Sequence, residues 1–564
     1  MDYELLLLSL SRNANSQAAY FQECIGQHMI AAYLAKHDFR AKVYSGDILN
    51  GEAFILQEMK EKGIQYVGFY VAADNVIMIG NLIKRLKKTT NLILFVGGPQ
   101  AAALGEEFLR KTNCDFIIVG EGERPVLQLL SYLEDGIGNL KEVKSLRYLS
   151  TEGIFCSTPL DEPIMDLDSL PYPRRIDSFH KKFRKTSSIG LLTGRGCPFH
   201  CTFCYEGATS KIVRYRSIKN VMGEIDEVLE YNPSLTTVNV FDDTFTLKPD
   251  RVYEFCREMK RRKLHWTCEA HVSCIYQHPE MLKTMIESGL LAMQIGIESG
   301  SQQVLDAYQK HITPEMITTV VRYCYQEGLC TLEGNYIIGG AFESDKTLSE
   351  SLIHAKRLLE EGRGMMEIQT VFFAPYFDTP ITKYPERFGI RILPEKIENM
   401  ITTMKEPVVE TDDLSVEEIM LWKQKFDQEL QKHYYNQALL CTRKDVLRKE
   451  ASGLKMGILG SKWYDAYAKI PHLAEFLQHT SQIEQEYSFC KYPIRVGTAK
   501  LKSENRIEID QKIILEGLEA EVWHKSNGRF TVKEIANKLQ ISTEIIADIY
   551  DRLNQRCLVY FSPF

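Results

Sequence analysis

Three cysteines lie close together in the stretch LLTGRGCPFHCTFCYEG, residues 191–207. Cys197, Cys201 and Cys204 follow a Gly-rich turn, and thiolates at this CxxxCxxC spacing can converge on one metal centre. A structural zinc site takes four closed ligands, often from two CxxC pairs, and the sequence offers no second pair. An iron–sulfur cube has four irons, so three cysteines leave one iron open to another ligand. The spacing therefore favours a [4Fe–4S] cluster over closed zinc or buried structural thiols.

Four further polar or Gly-rich segments follow predicted strands downstream of the cysteines. They are FDDTF (241–245), GIESGS (296–301), IIGGAFES (337–344) and APYFDTP (374–380). The predicted strands lie near 189–193, 236–242, 265–269, 291–298, 331–338 and 367–374. Their spacing suits βα units and predicts a partial (β/α)6 TIM-like barrel, whose chemistry lies at the carboxyl ends of the strands. For Asp243 a helix N-cap is an alternative, and for Glu298 a solvated loop carboxylate.

The cysteine loop resembles that of the radical S-adenosylmethionine (SAM) superfamily, whose signature is CxxxCxx(aromatic)C. Phe203 fills the aromatic position directly before Cys204. The resemblance implies that Cys197, Cys201 and Cys204 ligate a [4Fe–4S] cluster whose open iron chelates the amino and carboxylate groups of SAM. Reductive cleavage then gives methionine and a 5′-deoxyadenosyl radical. It also implies an electron donor such as flavodoxin or ferredoxin.

The same resemblance assigns a partner to the amino group of SAM. FDDTF stands where the family usually has a Gly-Gly-Glu type element, so Asp242 and Asp243 are the candidates. Carboxylates suit this role because they attract an ammonium group. The departure from Gly-Gly-Glu leaves the choice between the two aspartates open.

Two later segments match the remaining SAM-binding positions of the superfamily. Glu298 and Ser299 stand at the fourth-strand position associated with the ribose and the carboxylate. Ile337, Gly339 and, less directly, Ile338 resemble the fifth-strand adenine-binding motif. Phe203 is expected to form part of the wall of the cofactor site.

Residues 1–135 alternate apolar strands with amphipathic segments such as 24–36 and 76–88. The strands are 5–11, 41–47, 66–72, 91–99 and 115–123. This alternation predicts a doubly wound, Rossmann-like parallel sheet, whose ligand crevice lies beyond the carboxyl ends of the strands. Two strands end in glycine turns, Gly97-Gly98-Pro99 and Gly120-Glu121-Gly122-Glu123, which either serve a ligand or only terminate strands.

This domain resembles the cobalamin-binding domain of the corresponding radical SAM subfamily, in which the connector sequence LPYPRR also recurs. Under that resemblance Gly97, Gly98 and Gly120 let the backbone approach the nucleotide tail of cobalamin. The loop Ala72–Asn75 then faces the corrin. No DxHxxG occurs in residues 1–150, so a histidine as lower axial ligand is not predicted. A nicotinamide cofactor is disfavoured because no GxGxxG follows the first strand.

The resemblance implies methyl transfer to an unactivated carbon. The deoxyadenosyl radical takes a hydrogen atom from the substrate, whose carbon radical accepts a methyl group carried by cobalamin, and a second SAM restores that methyl group. Relatives of the same build also perform cyclisation, epimerisation or rearrangement, which is the second hypothesis. A redox-sensing iron–sulfur regulator of nucleic acid is a third, and the SAM-site segments argue against it.

The last residues of the chain read as a separate module after a helical region, 386–500, with its clearest helix at 415–435. Strand 505–510, helices 512–525, 531–540 and 542–557, and strand 558–561 follow. A winged helix could bind DNA, but acidic residues slightly outnumber basic ones in this module, which disfavours that reading. The order of elements resembles the PqqD-like recognition domain of peptide-modifying enzymes. That implies a ribosomally made precursor peptide as substrate; a small-molecule substrate, with a module that only packs on the barrel, is the alternative.

Composition bounds these interpretations. The chain has 564 residues, of which 44% are apolar and 25% charged, and its net charge is −7. That charge predicts no general attraction to DNA or to an anionic membrane. No signal peptide or membrane-spanning run is found, and fourteen scattered cysteines predict reduced thiols in the cytoplasm. The predicted domains are 1–140 (cobalamin-binding), 141–188 (linker), 189–385 (radical SAM core), 386–500 (helical) and 501–564 (winged-helix or PqqD-like).

Overall fold

A computed structural model describes most of the chain. The described residues are 3–11, 24–72, 75–136, 139–173, 175, 187–205, 211–376, 378–393, 406–456, 461–479, 488–503 and 505–562. The chain forms two compact units. The first comprises Met1–Met316, Asn335–Ser351 and Thr370–Lys423, and the second Ile317–Gly334, Leu352–Gln369 and Gln424–Phe564.

The N-terminal domain is built on a seven-stranded sheet of order β2-β1-β3-β4-β5-β6-β7. The strands are β1 (Leu5–Ser11), β2 (Ala41–Asp47), β3 (Tyr66–Tyr70), β4 (Ile93–Gly97), β5 (Phe116–Ile118), β6 (Leu146–Leu149) and β7 (Phe155–Ser157). The first five pair in parallel, which confirms the predicted parallel sheet. The sheet continues past the predicted boundary at residue 140, because β6 and β7 add antiparallel strands from the expected linker. Strands this short carry too little alternation to stand out in a sequence.

Helices cover both faces of this sheet. They are α1 (Ile25–Ala35), α2 (Ile48–Lys62), α3 (Val76–Thr89), α4 (Pro99–Leu104), α5 (Glu106–Thr112) and α6 (Glu123–Asp135). Alternate leucines of β1 enter two separate apolar cores: Leu6 and Leu8 pack with α2 and α3, whereas Leu5 and Leu7 pack with α1 and α6. The run of four leucines is therefore a strand buried on both faces, as expected for a doubly wound sheet.

The central region carries a six-stranded sheet whose strands neighbour one another in chain order, β8-β11-β12-β13-β14-β15. Its strands and an adjoining hairpin are β8 (Ser188–Leu191), β9 (Gly194–Arg195), β10 (Arg214–Tyr215), β11 (Thr237–Val240), β12 (His265–Ala270), β13 (Leu290–Glu298), β14 (Thr331–Ile338) and β15 (Met366–Phe372). Strands β8, β11, β12 and β13 pair in parallel, and β9 pairs antiparallel with β10. Each of the six predicted strands is present.

Helices alternate with these strands, as βα units require. They are α7 (Ile218–Tyr231), α8 (Pro249–Arg262), α9 (Val272–Gln277), α10 (Glu280–Glu287), α11 (Gln302–Ala307), α12 (Pro314–Glu327), α13 (Asp345–Glu361) and α14 (Pro380–Lys383). Ser217 caps α7 by accepting a hydrogen bond from the amide of Asn220. The polar segments noted in the sequence follow the carboxyl ends of their strands.

The region after the sheet contains a short hairpin and then helices. The hairpin is β16 (Ile390–Ile392) with β17 (Val409–Thr411), and the helices are α15 (Val416–Ala438), α16 (Arg443–Met456), α17 (Lys462–Tyr467) and α18 (Pro471–Gln478). The predicted helix 415–435 corresponds to α15. No helix of the described residues is long and apolar enough to cross a membrane.

The last segment forms a small α/β module. Its elements are β18 (Tyr492–Arg495), β19 (Ala499–Ser503), β20 (Arg506–Ile509), β21 (Ile513–Glu516), α19 (Gly517–Lys525), α20 (Val532–Leu539), α21 (Thr543–Gln555) and β22 (Val559–Ser562). Strands β19, β20 and β21 form one antiparallel sheet, and β18 pairs with β22. The predicted helix 512–525 is wrong at its start, because Ile513–Glu516 alternates buried and exposed side chains as a strand does.

Candidate functional site

The cysteine loop lies between β9 and β10 and is tied to the end of α11. Cys201 is buried, whereas Cys197 and Cys204 are half-buried. The amide of Cys204 donates to the carbonyl of Cys201 (3.2 Å), and the amide of Thr202 donates to the carbonyl of Tyr308 (3.1 Å). These bonds fix the centre of the loop against the barrel while the two outer thiols keep access to solvent.

The chemistry of the donors suits a cluster with three protein ligands. Burial, aided by the two neighbouring thiols and opposed by the charge of Lys310, raises the pKa of the Cys201 thiol to about 11. Among the described residues, no three His, Cys, Asp or Glu side chains are gathered as they would be around one metal ion. The same holds for Cys197, Cys201 and Cys204, so the fit to [4Fe–4S] rests on their spacing within one loop and on the chemistry of three thiol donors.

A buried ion pair stands beside this loop. The Nζ of Lys310 lies 3.0 Å from Oε1 of Glu298, and both side chains are less than one-tenth exposed. Gly296 leaves room for the pair, since a Cβ there would collide with both charged groups. Burial lowers the pKa of Lys310, but the charges of Glu298 and Cys201 outweigh it, so the net shift is upward and the lysine stays protonated. Glu298 is thus not a solvated loop carboxylate, and Lys310 is a site residue that no strand-end pattern marks.

Ser299 organises the turn that follows β13. It is fully buried, and its hydroxyl lies 3.0 Å from the hydroxyl of Ser351 and accepts a hydrogen bond from the amide of Ser301 (3.1 Å). Its predicted contact with SAM stays a prediction.

The two adjacent aspartates have opposite environments. Asp242 is buried, and its carboxylate accepts hydrogen bonds from the amide of Thr193 (2.6 Å) and from the Thr193 hydroxyl. Burial raises the pKa of Asp242 against the opposing effect of those hydrogen bonds. Asp243 is exposed. It does not cap a helix, because the N-cap of the short 3₁₀ turn Phe245–Leu247 is Thr244. Asp242 therefore holds the turn that leads into the cysteine loop, and Asp243 is accessible to a ligand.

An apolar wall joins the cysteine loop to the fifth strand of the sheet. Phe203 packs in one cluster with Ile337 and Tyr308, and the rings of Phe203 and Tyr308 lie 4.7 Å apart. Two segments more than a hundred residues apart in sequence thus form one surface of the site.

The loop after β14 is closed by Glu343, a residue that the sequence interpretation missed. Its Oε2 accepts hydrogen bonds from the amides of Gly339 and Gly340, the latter at 3.0 Å. Gly339 has φ +84°, a left-handed conformation that favours glycine. Burial raises the pKa of Glu343 to about 7. The carboxyl group therefore shapes the backbone of the predicted adenine segment from inside the protein.

His271 is a third site residue, after Lys310 and Glu343, that the sequence interpretation missed. It follows β12, a strand with no polar signature at its end, and its ring stacks on Phe199 of the cysteine loop at 3.7 Å. Nδ1 lies 2.7 Å from the hydroxyl of Ser273, whereas the buried Nε2 has no hydrogen-bond partner among the described residues. Burial lowers the pKa of His271 to about 3, so the ring is neutral.

At the carboxyl edge of the N-terminal sheet, Gly98 serves a close backbone approach. Its φ is +106°, and a Cβ would lie 2.5 Å from the carbonyl oxygen of Val71. A Cβ on Gly97 would meet nothing nearer than 3.9 Å, and one on Gly120 nothing within 4 Å. Gly97 and Gly120 therefore leave space at this edge, whereas Gly98 is already required by the fold.

Asn75 fixes the neighbouring strand ends. Its side chain accepts a hydrogen bond from the amide of Ala72 (2.9 Å) and donates to the carbonyls of Leu10 (3.2 Å) and Tyr70 (3.1 Å). The amide thus joins the ends of β1 and β3. The middle of the predicted corrin-facing loop, residues 73 and 74, lies outside the described residues.

Family models match both of these regions. A model of the Radical SAM superfamily matches residues 191–353, and a model of the B12 binding domain matches residues 15–130. The predicted radical SAM enzyme class and its three cofactors, [4Fe–4S] cluster, SAM and cobalamin, are thereby confirmed. The matched residues end at 353, so the PqqD-like module stays a prediction.

Curated proteins are similar to about half of this chain. An uncharacterized methyltransferase of Pyrococcus horikoshii is 30% identical over 275 residues, which are 48% of this chain and 58% of that protein. The anaerobic magnesium-protoporphyrin IX monomethyl ester cyclase of Rubrivivax gelatinosus is 27% identical over 270 residues, 46% of this chain and 48% of that protein. The chain spans about half the length of these curated relatives.

One solved structure shows the fold at greater coverage. The cobalamin-dependent S-adenosylmethionine radical enzyme OxsB, with aqua-cobalamin and S-adenosylmethionine bound, matches with a TM-score of 0.61. The match covers 86% of this chain and 73% of OxsB at 15% identity, so the likeness is one of fold.

Proposed function

We propose that this chain, which joins a B12-binding domain to a radical SAM domain, is a cobalamin-dependent C-methyltransferase that acts on an unactivated carbon. The observation that carries the proposal is a contact between the two domains. Ile25 and Met29 of α1 pack in one apolar cluster with Leu192 and Phe241, which follow strands β8 and β11 of the radical SAM sheet. A helix of the B12-binding domain thus contacts the edge that bears the cysteine loop, as transfer between two cofactors requires.

The residues of this chain divide the work of binding. Cys197, Cys201 and Cys204 would hold the cluster, and the exposed carboxylate of Asp243 would accept hydrogen bonds from the ammonium group of SAM. When bound, the cluster and SAM supply a deoxyadenosyl radical and cobalamin supplies a methyl group. Lys310 stays protonated beside the thiolates and offsets their charge.

The apolar wall of the site supports adenine binding. Phe203 and Ile337 pack in one cluster, and Glu343 orders the backbone of Gly339 beside them. At the other edge, the open space around Gly97 and Gly120 would admit the nucleotide tail of cobalamin. What remains for the protein is to hold the substrate carbon between the two cofactors, where orientation decides the outcome.

The substrate we propose is a ribosomally made precursor peptide, bound by the PqqD-like module. All five residues of β19 are exposed, and β19 is an edge strand of its sheet. An exposed edge offers unpaired backbone groups to which an extended peptide can add. A small molecule is the alternative, which the cyclase relative favours because its name specifies a magnesium porphyrin ester. That relative also favours a radical reaction without methyl transfer as the second candidate function.

Anaerobic reconstitution with iron, sulfide and cobalamin tests the proposal. The holoenzyme, supplied with SAM and a reductant, should release 5′-deoxyadenosine, and mass spectrometry should find product heavier than substrate by one methylene. Cys201→Ala should lose the brown absorbance of the cluster. Absence of 5′-deoxyadenosine would rule out the radical reaction, and 5′-deoxyadenosine without the added methylene would favour the second candidate.

A further inference from the structure

Four charged side chains connect the B12-binding domain to the entrance of the cysteine loop. Glu121 and Glu123 follow β5, Arg195 lies on β9 two residues before Cys197, and Arg214 lies on β10. We name these four residues the interdomain clamp. All of them belong to one compact unit of the chain.

The clamp is a connected network of ion pairs. Arg195 lies 2.5 Å from Oε1 of Glu123 and 3.2 Å from Oε2 of Glu121. Arg214 donates hydrogen bonds to both carboxylate oxygens of Glu121, and the bond to Oε2 is 3.1 Å long. Among the described residues, the ion pairs of the two glutamates all lead to these arginines. The network therefore links the two domains and does not brace either glutamate within its own domain.

Most of the clamp is withdrawn from water. The side chain of Glu123 is 3% exposed, that of Arg214 6% and that of Arg195 15%, with Glu121 the most exposed at 28%. Arg214 also donates to the carbonyl of Ile164, which ties in the connector between the domains (2.9 Å). Breaking one partner of such a buried, hydrogen-bonded pair leaves the other charge uncompensated, so the network resists separation of its two sides.

The clamp lies at the ligand-binding edges of both domains. The glutamates follow the carboxyl end of β5, the edge at which open α/β sheets bind ligands. Arg195 precedes the first cluster cysteine, and the turn before Arg195 is held by Asp242 through Thr193. The clamp thus joins the turn after β5, at the predicted cobalamin edge, to the start of the cysteine loop, at the predicted cluster site.

We propose that the interdomain clamp positions the two cofactor sites relative to each other. Its four residues are positioning residues: they hold the turn after β5 against the cysteine loop and so set the separation of the cobalt from the cluster and its SAM. This proposal rests on the proposed function only for the methyl group that would pass between the two cofactor sites. That the clamp fixes the distance between the sites does not depend on which reaction they perform.

Reversing the side-chain charges of the clamp, one at a time and together, tests this proposal on the reconstituted holoenzyme. The variants are Glu121→Arg, Arg214→Glu and the double variant that carries both, with Glu52→Gln as control. Glu52 of α2 pairs with Arg85 of α3, and these helices cover the opposite face of the sheet from α6, which carries Glu123. The readouts are hydrogen exchange over residues 116–123 and 188–197 and the spin–spin interaction between cob(II)alamin and the reduced cluster in electron paramagnetic resonance.

In each single variant the backbone amides of both segments should exchange hydrogen at least about tenfold faster than in the wild type. Local opening of these segments then no longer has to break the ion pairs of the clamp. The spin–spin interaction should weaken as well. The double variant should restore both readouts in part, because the reversed charges at positions 121 and 214 attract each other while position 121 now repels Arg195. Glu52→Gln should leave both unchanged. If a charge reversal prevents folding, Glu123→Gln removes one charge at the same network and should move the same readouts.

Two results would overturn the proposal: single variants that behave as the wild type, or a double variant that restores neither readout. Failure of the proposed function looks different. In that case the wild type forms no methylated product, while hydrogen exchange and the spin–spin interaction still change in the single variants and recover in part in the double variant.

Discussion

For single residues, burial separates the roles of neighbours. Asp242 and Asp243 have the same carboxylate, but only Asp242 is buried and hydrogen-bonded to Thr193. Gly97 and Gly98 differ in the same way, because only Gly98 stands against the backbone of Val71. Each pair supplies its own matched control.

The aspartate pair leads to opposite expectations for binding and stability. Asp242→Asn should lower the melting temperature by weakening the turn before the cysteine loop, at a cost of about 1–3 kcal/mol. Asp243→Asn, at an exposed position, should lower melting less than Asp242→Asn and should weaken SAM binding, since it removes a negative charge that would attract the ammonium group. Calorimetry and equilibrium binding of SAM measure the two effects. The reverse pattern would assign the ligand contact to Asp242.

Glu343 should make stability depend on pH. Its pKa is raised from 4.5 to about 7 by burial, so between these values the folded protein keeps a proton that the unfolded chain has released. The stability that this group contributes is therefore complete below pH 4.5 and falls as pH rises towards 7, by at most about 3 kcal/mol.

Glu343→Gln keeps an oxygen for the amides of Gly339 and Gly340 but removes the titration. The melting temperature of the wild type relative to this variant should decline between pH 5 and pH 8. Glu230→Gln, at an exposed position, should show no such trend. A difference that stays constant with pH would contradict the assignment.

At the scale of elements, the connector between the two domains, which we call the strap, links a strand and a helix of the radical SAM domain. Arg175, from LPYPRR, is fully buried and donates to Glu224 on α7 (2.6 Å) and to the carbonyl of Gly190 on β8 (2.6 Å). Glu224 pairs on its other oxygen with Arg216. The motif therefore locks the first strand to the first helix of the barrel.

Arg175→Ala should destabilise this domain by about 3 kcal/mol, because a buried charge network loses one member. Arg261→Ala, which removes an exposed pair with Glu258, should cost less than about 1 kcal/mol. Differential scanning calorimetry compares the two. Equal, small losses would show that the strap does not stabilise the barrel.

The exposed strand β19 is the element on which the peptide hypothesis depends. Backbone N–H groups of successive residues point to opposite edges of a strand, so Lys500→Pro and Leu501→Pro should differ. One should block addition of a peptide while leaving the pairing with β20 intact. Co-expression with short reading frames beside the gene, followed by mass spectrometry, measures modification of a peptide. Unaltered modification in both variants would exclude β19 as the docking edge.

For the molecule as a whole, methyl transfer demands two uses of SAM in one catalytic cycle. Each methylated product should be accompanied by one 5′-deoxyadenosine and one S-adenosylhomocysteine, since one SAM supplies the radical and the other the methyl group. Chromatographic quantification of both by-products measures the ratio. Formation of 5′-deoxyadenosine without S-adenosylhomocysteine would indicate rearrangement or cyclisation.

Features that depend on neighbouring residues can be predicted from the amino-acid sequence alone. The spacing of Cys197, Cys201 and Cys204 predicts the cluster loop, and runs of apolar residues predict the five parallel strands of the first large sheet and the six strands of the second. Weak local signals fail: β6 and β7 are too short to be recognised, and the sequence pattern wrongly extends a helix over the strand Ile513–Glu516. Periodicity over four residues does not separate strand from helix.

Which distant residues meet is known only from the folded chain. Lys310 beside Glu298, His271 against Phe199, and Glu121 against Arg195 and Arg214 are contacts between segments with no shared pattern. Exposure likewise distinguishes Asp243 from Asp242 only once the chain is folded. Burial and ion pairing are properties of the packed molecule, because they depend on the desolvation and charge that distant segments impose on a site.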